Sequence, residues 1–222
     1  MEIKAIGIGG IGCALLPFLC RFLQYSGTAA RLTLIDGDSF ERANAARQAF
    51  PRLGNKAEVK AGELAQEFQG LSFRAAPEYV TAANVARLVA PGDTVFLMVD
   101  NHASRLLVSA HAATLNDVTL ISGGNDLHDG NVQVYVRREG RDLTPSLSRY
   151  HPEIAAPRDR NPADLSCEEL AAAGAPQLLF ANLTVAALML NAFYACQKGA
   201  LGYSEVYCDI LENLTRPVVR PG

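Results

Sequence analysis

The sequence contains no C-x-x-C pair, although it carries five cysteines, Cys13, Cys20, Cys167, Cys196 and Cys208. An odd, unpaired set of this kind speaks for a reduced, cytoplasmic protein rather than a disulfide-stapled one. Its four histidines, His102, His111, His128 and His151, show no metal-ligand spacing. There is no excess of positive charge, the formal net charge being −3, which argues against a broad nucleic-acid footprint. No uninterrupted apolar run approaches the roughly 20 residues of a membrane span. A positively charged leader followed by an apolar stretch is also missing, so no signal peptide is expected. The first 140 residues show neither repeats nor linkers. With 222 residues, 49% of them hydrophobic and 19% charged, the composition is that of a compact soluble chain.

What is present begins at once. A short, largely apolar run, Ile3 to Ile6, leads into Gly7-Ile8-Gly9-Gly10-Ile11-Gly12, and an apolar helical pattern follows from Ala14. A second apolar run, residues 31–35, ends at Asp36. Strand, glycine turn, helix, strand and terminal acid together make the physical basis of a nucleotide site. The glycines let the backbone approach phosphates, and the free amides at the helix start favour negative charge. The closing acid can accept hydrogen bonds from ribose hydroxyls. Taken by itself this turn suits a nicotinamide or flavin cofactor best.

Strand-like runs at 71–75, 94–99 and 118–122 alternate with helical patterns at 82–89 and about 103–114. The run 94–99 is almost wholly apolar, as a strand buried on both faces should be. The pattern predicts an α/β fold: a Rossmann-like, doubly wound, mainly parallel sheet with helices on both faces. Residues 132–136 switch to period two and predict antiparallel strands extending the sheet toward the C-terminus. Three regions follow within one expected domain. Residues 1–138 form the nucleotide-binding core, 139–166 a crossover loop, and 167–222 a C-terminal helix and strand region. The last contains an apolar helix over 177–197, packed in the core or at a subunit interface, and a final strand over 205–211 before a short tail. Asn182, Thr184 and Asn191 interrupt that helix as a membrane span.

The chemistry-bearing residues follow Asp36 in order: Asp38, Asn44, Arg47, Gln48 and Lys56, then Asp100-Asn101 after the apolar strand, with Arg105 beyond. Asp36 and Asp100 fall at strand ends on the carboxyl edge of the sheet, where phosphate sites form. Each residue also has an ordinary reading. Arg47 and Lys56 could be surface charges, Asp100 could cap the helix near Ala103, and Arg105 could pair with Asp100. Asp38 and Gln48 divide evenly between direct contact and loop support.

Together the set resembles the ThiF/MoeB superfamily, the adenylation fold of ubiquitin-like-protein activating enzymes. The family pattern is a glycine turn, D-x-D, N-x-x-R-Q, a lysine, then D-N with an arginine beyond. Gly7, Gly9, Gly10 and Gly12, Asp36 and Asp38, Asn44, Arg47 and Gln48, Lys56, and Asp100, Asn101 and Arg105 occupy those places. The resemblance covers about the first 140 residues well and the rest in outline. The Ser166-Cys167 segment is most similar to small bacterial ThiF-type proteins. The resemblance implies that Asp36 binds the ATP ribose, that Asn44, Arg47 and Lys56 bind phosphates, and that Asp100 holds Mg²⁺. It implies ATP-dependent adenylation of the C-terminal carboxylate of a ubiquitin-like or sulfur-carrier protein ending in Gly-Gly. It also implies a cytoplasmic homodimer. A carboxylate is already ionised at pH 7, so the reaction asks for positioning and charge neutralisation rather than a base.

Cys167 stands in a capping-box pattern, Ser166 to Glu169, at a helix start where amides lower a thiol's pKa. Two readings stay open for it: the acceptor that takes the acyl group as a thioester, or an inert residue at a cap. The other cysteines are expected in the core. Without C-x-x-C pairs, the zinc of many relatives is not expected. No counterpart is expected to the arginine that some relatives supply from an N-terminal helix. Two other functions remain open at this level, an NAD- or FAD-dependent oxidoreductase and a non-catalytic nucleotide-binding scaffold.

Overall fold

The structure, a computed structural model, describes residues 1–165 and 178–221. Its frame is a nine-stranded sheet built on a parallel half. Strands β1 (Glu2–Ile6), β2 (Arg31–Ile35) and β5 (Ser72–Ala76) are laid outward on one side. The chain then crosses back so that β6 (Thr94–Leu97) pairs with the other side of β1, and β7 (Val118–Asn125) pairs with β6. Strand order therefore reverses between β1 and β6, the kind of point at which open α/β sheets hold ligands beyond their carboxyl ends. A small ladder, β3 (Ser39–Phe40) with β4 (Gly54–Asn55), stands off the main sheet.

Beyond β7 the sheet continues antiparallel through β8 (Asp129–Arg138), with the short β9 (Arg141–Asp142) at its side, then β10 (Glu205–Asp209) and β11 (Leu214–Val218). The β7–β8 hairpin runs past the expected ends at 122 and 132, because Gly123, Gly124 and Gly130 pair as strand residues rather than turning the chain. The strand expected to reach 211 ends at Asp209, and residues 212–218, expected as tail, turn back and supply β11. Its residues are mostly exposed and include Pro217, so no apolar alternation announces it. The strand expected to reach 99 ends at Leu97.

Side-chain alternation sends Ile3, Ala5 and Phe96 to one face and Ile6, Val95 and Leu97 to the other. The first face is covered by α1 (Gly10–Tyr25), α2 (Lys56–Glu67) and the long helix α6 (Leu179–Gln197). The second is covered by α3 (Val85–Leu88), α4 (His102–Ala112) and α5 (Pro152–Ala155). Helix α3 is shorter than the pattern at 82–89 suggested. The Asn84 side chain accepts from Thr81 N at 2.7 Å and holds a turn before it.

By length and composition α6 could cross a membrane. Here it lies on the sheet, burying Ala181, Val185, Met189 and Phe193 along one stripe. Full burial of each larger member is worth roughly 1.5–3 kcal/mol. A methyl on Gly123 would lie 2.3 Å from Met189 Sδ, so the hairpin glycines are what let this helix close on the sheet.

Within 139–164, expected to be irregular, β9, α5 and a 3₁₀ turn at Pro162–Asp164 take shape. His151 pins the segment by bridging Glu153 at 2.8 Å and the buried Glu205 at 2.9 Å.

Candidate functional site

At the carboxyl ends of β1, β2 and β6 lies a cleft of about 1230 Å³. Gly7, Gly9 and Gly10 form one wall, and larger residues would not fit at Gly7 or Gly10. Gly7 sits at φ +87°, and a methyl on it would meet the Met98 carbonyl at 2.8 Å. Helix α1 opens directly from this turn, with Gly9 at its N-cap and no side chain capping it. The first amides of a helix have no partner within it, so this end is electrically positive and open. Gly12 faces inward, where a methyl would strike the Gly7 carbonyl at 2.7 Å.

Asp36 ends β2 beside the turn and is buried. Its Oδ2 accepts from Ile8 N at 2.6 Å and its Oδ1 from Asp38 N at 2.8 Å, which fixes the carboxylate against the glycine wall. A carboxylate has lone pairs to spare for two ribose hydroxyls. Burial pushes its pKa up to about 6, with Asp38 adding to the rise and Lys56 and the two amides opposing it. A raised carboxyl pKa favours the folded state most while the group is protonated. That contribution is complete below about pH 4 and disappears as pH rises through about 6. Urea unfolding at pH 4 to 7 should therefore show the wild type losing roughly 2–3 kcal/mol relative to Asp36→Asn across this window. Parallel curves for the two proteins would mean that Asp36 titrates as an ordinary carboxyl.

The segment 37–55 brings the remaining polar groups over the cleft. Its ends are tied by the β3–β4 ladder, where Ser39 faces Asn55 and Phe40 faces Gly54. Asn55 Nδ2 also donates to the carbonyls of Asp36 and Asp38 at 2.9 and 3.1 Å. Underneath, Phe40 stacks on Phe50 with ring centroids 4.7 Å apart, and the buried Lys60 donates to Ala49 O at 2.6 Å. On this base a 3₁₀ turn, Arg42–Asn44, sets the spacing of Asn44, Arg47 and Gln48, all three lining the cleft. Asn44 Oδ1 accepts from Glu41 N at 3.2 Å and so also holds its own turn.

Lys56, the first residue of α2, is buried and donates to Asp38 Oδ2 at 3.0 Å. The other Asp38 oxygen accepts from the Tyr79 hydroxyl. Tyr79 escaped the sequence reading. A lone tyrosine after a strand gives no signal, although a methyl on Gly37 would lie 2.7 Å from its ring.

On the far wall Asp100 is exposed at the cleft and Asn101 is the N-cap of α4, accepting from Ser104 N at 2.8 Å. The cap that the ordinary reading gave to Asp100 is thus made by its neighbour. Asp159 adds to it from the segment after α5, accepting from His102 N and Ala103 N at 2.7 and 2.8 Å. Arg105 is buried, and its guanidinium donates to Ser122 Oγ at 2.7 Å, Val99 O at 2.6 Å and Gly123 O at 2.9 Å. It therefore ties the ends of β6 and β7 together at the edge of the cleft.

Cys13, Cys20 and Cys208 are buried and Cys196 half-buried, with burial raising each thiol's pKa, that of Cys20 to about 12. Cys167 lies outside the described residues. Among the described residues no three His, Cys, Asp or Glu side chains gather as a metal cluster. A Mg²⁺ at Asp100 would draw its other ligands from phosphates and water, which is the usual habit of that ion.

Residues 1–198 match the model of the ThiF family. No curated protein matches the sequence. Among solved structures, E. coli MccB in complex with MccA-N7isoASN superposes with a TM-score of 0.75 at 19% identity, over 97% of this chain and 63% of that one. E. coli MccB with ATP gives 0.74 at 18% identity, over 97% and 62%. PaaA gives 0.69 at 19% identity, over 99% and 64%. The chain thus spans a little under two thirds of the length of these structures.

Proposed function

The chain belongs to the ThiF family, and we propose that it is an ATP-dependent adenylyltransferase that activates the C-terminal carboxylate of a peptide or small protein. The observation that carries this reading is the composition of the cleft. Lys56, Arg47, Asn44 and Gln48 are held on one segment, over an uncapped helix start and opposite Asp36 and Asp100. Cations and neutral donors suit a triphosphate, and no side chain placed as a general base is needed.

In this reading Asp36 holds the ribose, Asn44 and Arg47 the phosphates, and Lys56 leaves Asp38 to neutralise charge at the reacting phosphorus. Mg²⁺ held by Asp100 would supply further charge neutralisation at the phosphate oxygens. The substrate's carboxylate oxygen bonds to the α-phosphorus, the bond to the β-phosphate oxygen breaks, and pyrophosphate leaves. No proton has to move. A ubiquitin-like or sulfur-carrier protein ending in Gly-Gly fits the chemistry. So does a free peptide, and the likeness to an MccB structure solved with MccA keeps that class in view. Passage of the acyl group to Cys167 is part of the same proposal and would appear as a thiol-labile adduct. The unpaired described cysteines suit a cytoplasmic setting.

A homodimer is proposed with it. Phe18, Phe22 and Tyr25 form an exposed stripe on α1, and Phe180, Leu183 and Tyr194 form one on α6. The stripes meet where Phe22 and Tyr194 pack edge-on, 5.9 Å apart, giving a continuous apolar surface of the kind that marks interfaces. Light scattering should give a dimer mass for the wild type and a monomer for Phe18→Asp/Phe180→Asp. A monomeric wild type would remove this part.

The function itself is tested by thermal shift with Mg²⁺-ATP, NAD⁺ and FAD, followed by ATP–pyrophosphate exchange with peptide and Gly-Gly-ended protein acceptors. A ligand at about 100 times its dissociation constant adds about 2.7 kcal/mol of stability, an easily read change. Stabilisation by Mg²⁺-ATP alone, with acceptor-dependent exchange, is the expected result. ATP binding without exchange on any acceptor would favour a scaffold, and a response to NAD⁺ or FAD alone would overturn the assignment.

A further inference from the structure

Helix α6 carries one buried side chain that its packing does not explain. Asn182 is fully buried, and neither its Nδ2 nor its Oδ1 has a hydrogen-bond partner. It stands in a stripe otherwise made of Ala181, Val185 and Ala186, where an apolar residue would pack without penalty. Leaving a buried amide unpaired costs about 1–3 kcal/mol for each unsatisfied group.

The amide lies against the start of α1. A methyl on Gly10, the first residue of that helix, would lie 2.3 Å from Asn182 Nδ2 and 2.9 Å from Oδ1. Asn182 also lines the cleft. On the neighbouring residue the arrangement repeats more loosely. Gln48 Nε2 would be 3.8 Å from a methyl on Gly9, and Gln48 Oε1 is likewise buried without a partner. Two carboxamides thus flank an uncapped helix start that faces the cleft. The glycine at 10 serves the Asn182 amide as much as the turn, since a side chain there would displace it.

We infer that Asn182 is a nucleotide-binding residue, donating from Nδ2 to the phosphate seated over the start of α1, with Gln48 on the other side. The inference rests on the adenylation reading and adds to it a contact from α6, some 130 residues beyond the Asn44–Lys56 segment. A carboxamide suits the position because it donates without charge where the α1 amides already supply positive potential. Ligand binding would satisfy an atom that the ligand-free fold leaves unpaired.

The test compares wild type, Asn182→Ala and the isosteric Asn182→Asp by calorimetric titration with Mg²⁺-ATP and with adenosine, alongside melting of the ligand-free proteins. Asn182→Ala should melt no lower than wild type, bind Mg²⁺-ATP about 10-fold more weakly and bind adenosine unchanged. Asn182→Asp, which replaces donors by a charge, should lose more than Asn182→Ala for Mg²⁺-ATP and again spare adenosine. Unchanged Mg²⁺-ATP affinity in both variants would overturn the inference while leaving the adenylation reading intact. Equal losses for both ligands, or failure of both variants to fold, would make Asn182 a packing residue. A wild type that binds no ATP would remove the adenylation reading and this contact together.

Discussion

Asp100→Ala is expected to lower ATP–pyrophosphate exchange by about 10²–10³-fold or more while the protein melts within a degree or two of wild type. The magnitude is that of removing one preorganised group that stabilises developing charge. The stability side follows from Asp100's position. It is exposed, and the neighbouring N-cap and the helix amides are served by Asn101 and Asp159. Replacing such a residue changes folding free energy by about 0.5 kcal/mol or less. The pairing of a large catalytic loss with an unchanged fold is the informative result. Exchange that persists at wild-type rate in excess Mg²⁺ would remove Asp100 from the reaction. A large drop in melting temperature would instead assign it to the β6–α4 turn.

Arg105→Ala should act the other way, costing about 3–5 kcal/mol of stability in urea titration, a large share of a typical domain's total. The guanidinium is buried and anchors three acceptors, Ser122 Oγ, Val99 O and Gly123 O. Its removal leaves a cavity and unpaired carbonyls together. Burial lowers its pKa to about 10, with Asp100 and Asp159 opposing, so it stays charged throughout the neutral range. Arg105→Lys should recover only part of the loss, because an ammonium cannot span the same three acceptors as a fork. Gly124 belongs to the same arrangement, since a methyl there would lie 2.5 Å from Arg105 Nη2. If Arg105→Ala unfolds at the wild-type midpoint yet loses nucleotide affinity, the residue acts on the ligand and not on the β6–β7 junction.

The two predictions separate residues that stand five positions apart in one motif. The sequence places Asp100, Asn101 and Arg105 together as binding residues, and nothing in their spacing distinguishes a group facing the cleft from one facing the sheet. The distinction depends on the carbonyls of Val99 and Gly123, which meet Arg105 only after β7 is laid beside β6. The same holds for Asp38, whose Lys56 and Tyr79 partners come from two different segments.

By itself the sequence determined the parallel half of the sheet, the glycine turn into α1 and the position of Asp36 at a strand end. These depend on local order: apolar runs, punctuating glycines and the residue that ends a strand. It also placed the Asn44–Arg47–Gln48 segment, because a short turn carries its own spacing. Only the tertiary structure decided what reaches that site from afar. Asp159 closes α4 from 56 residues away, Tyr79 holds Asp38 across 41, and β11 forms on backbone pairing alone. Asn182 is the sharpest case. In the sequence it is a polar interruption of an apolar helix, and it becomes a candidate ligand only because Gly10 leaves room for its amide. Periodicity reports which face of an element is apolar. Which polar atom lacks a partner is a property of packed neighbours, and only the fold supplies them.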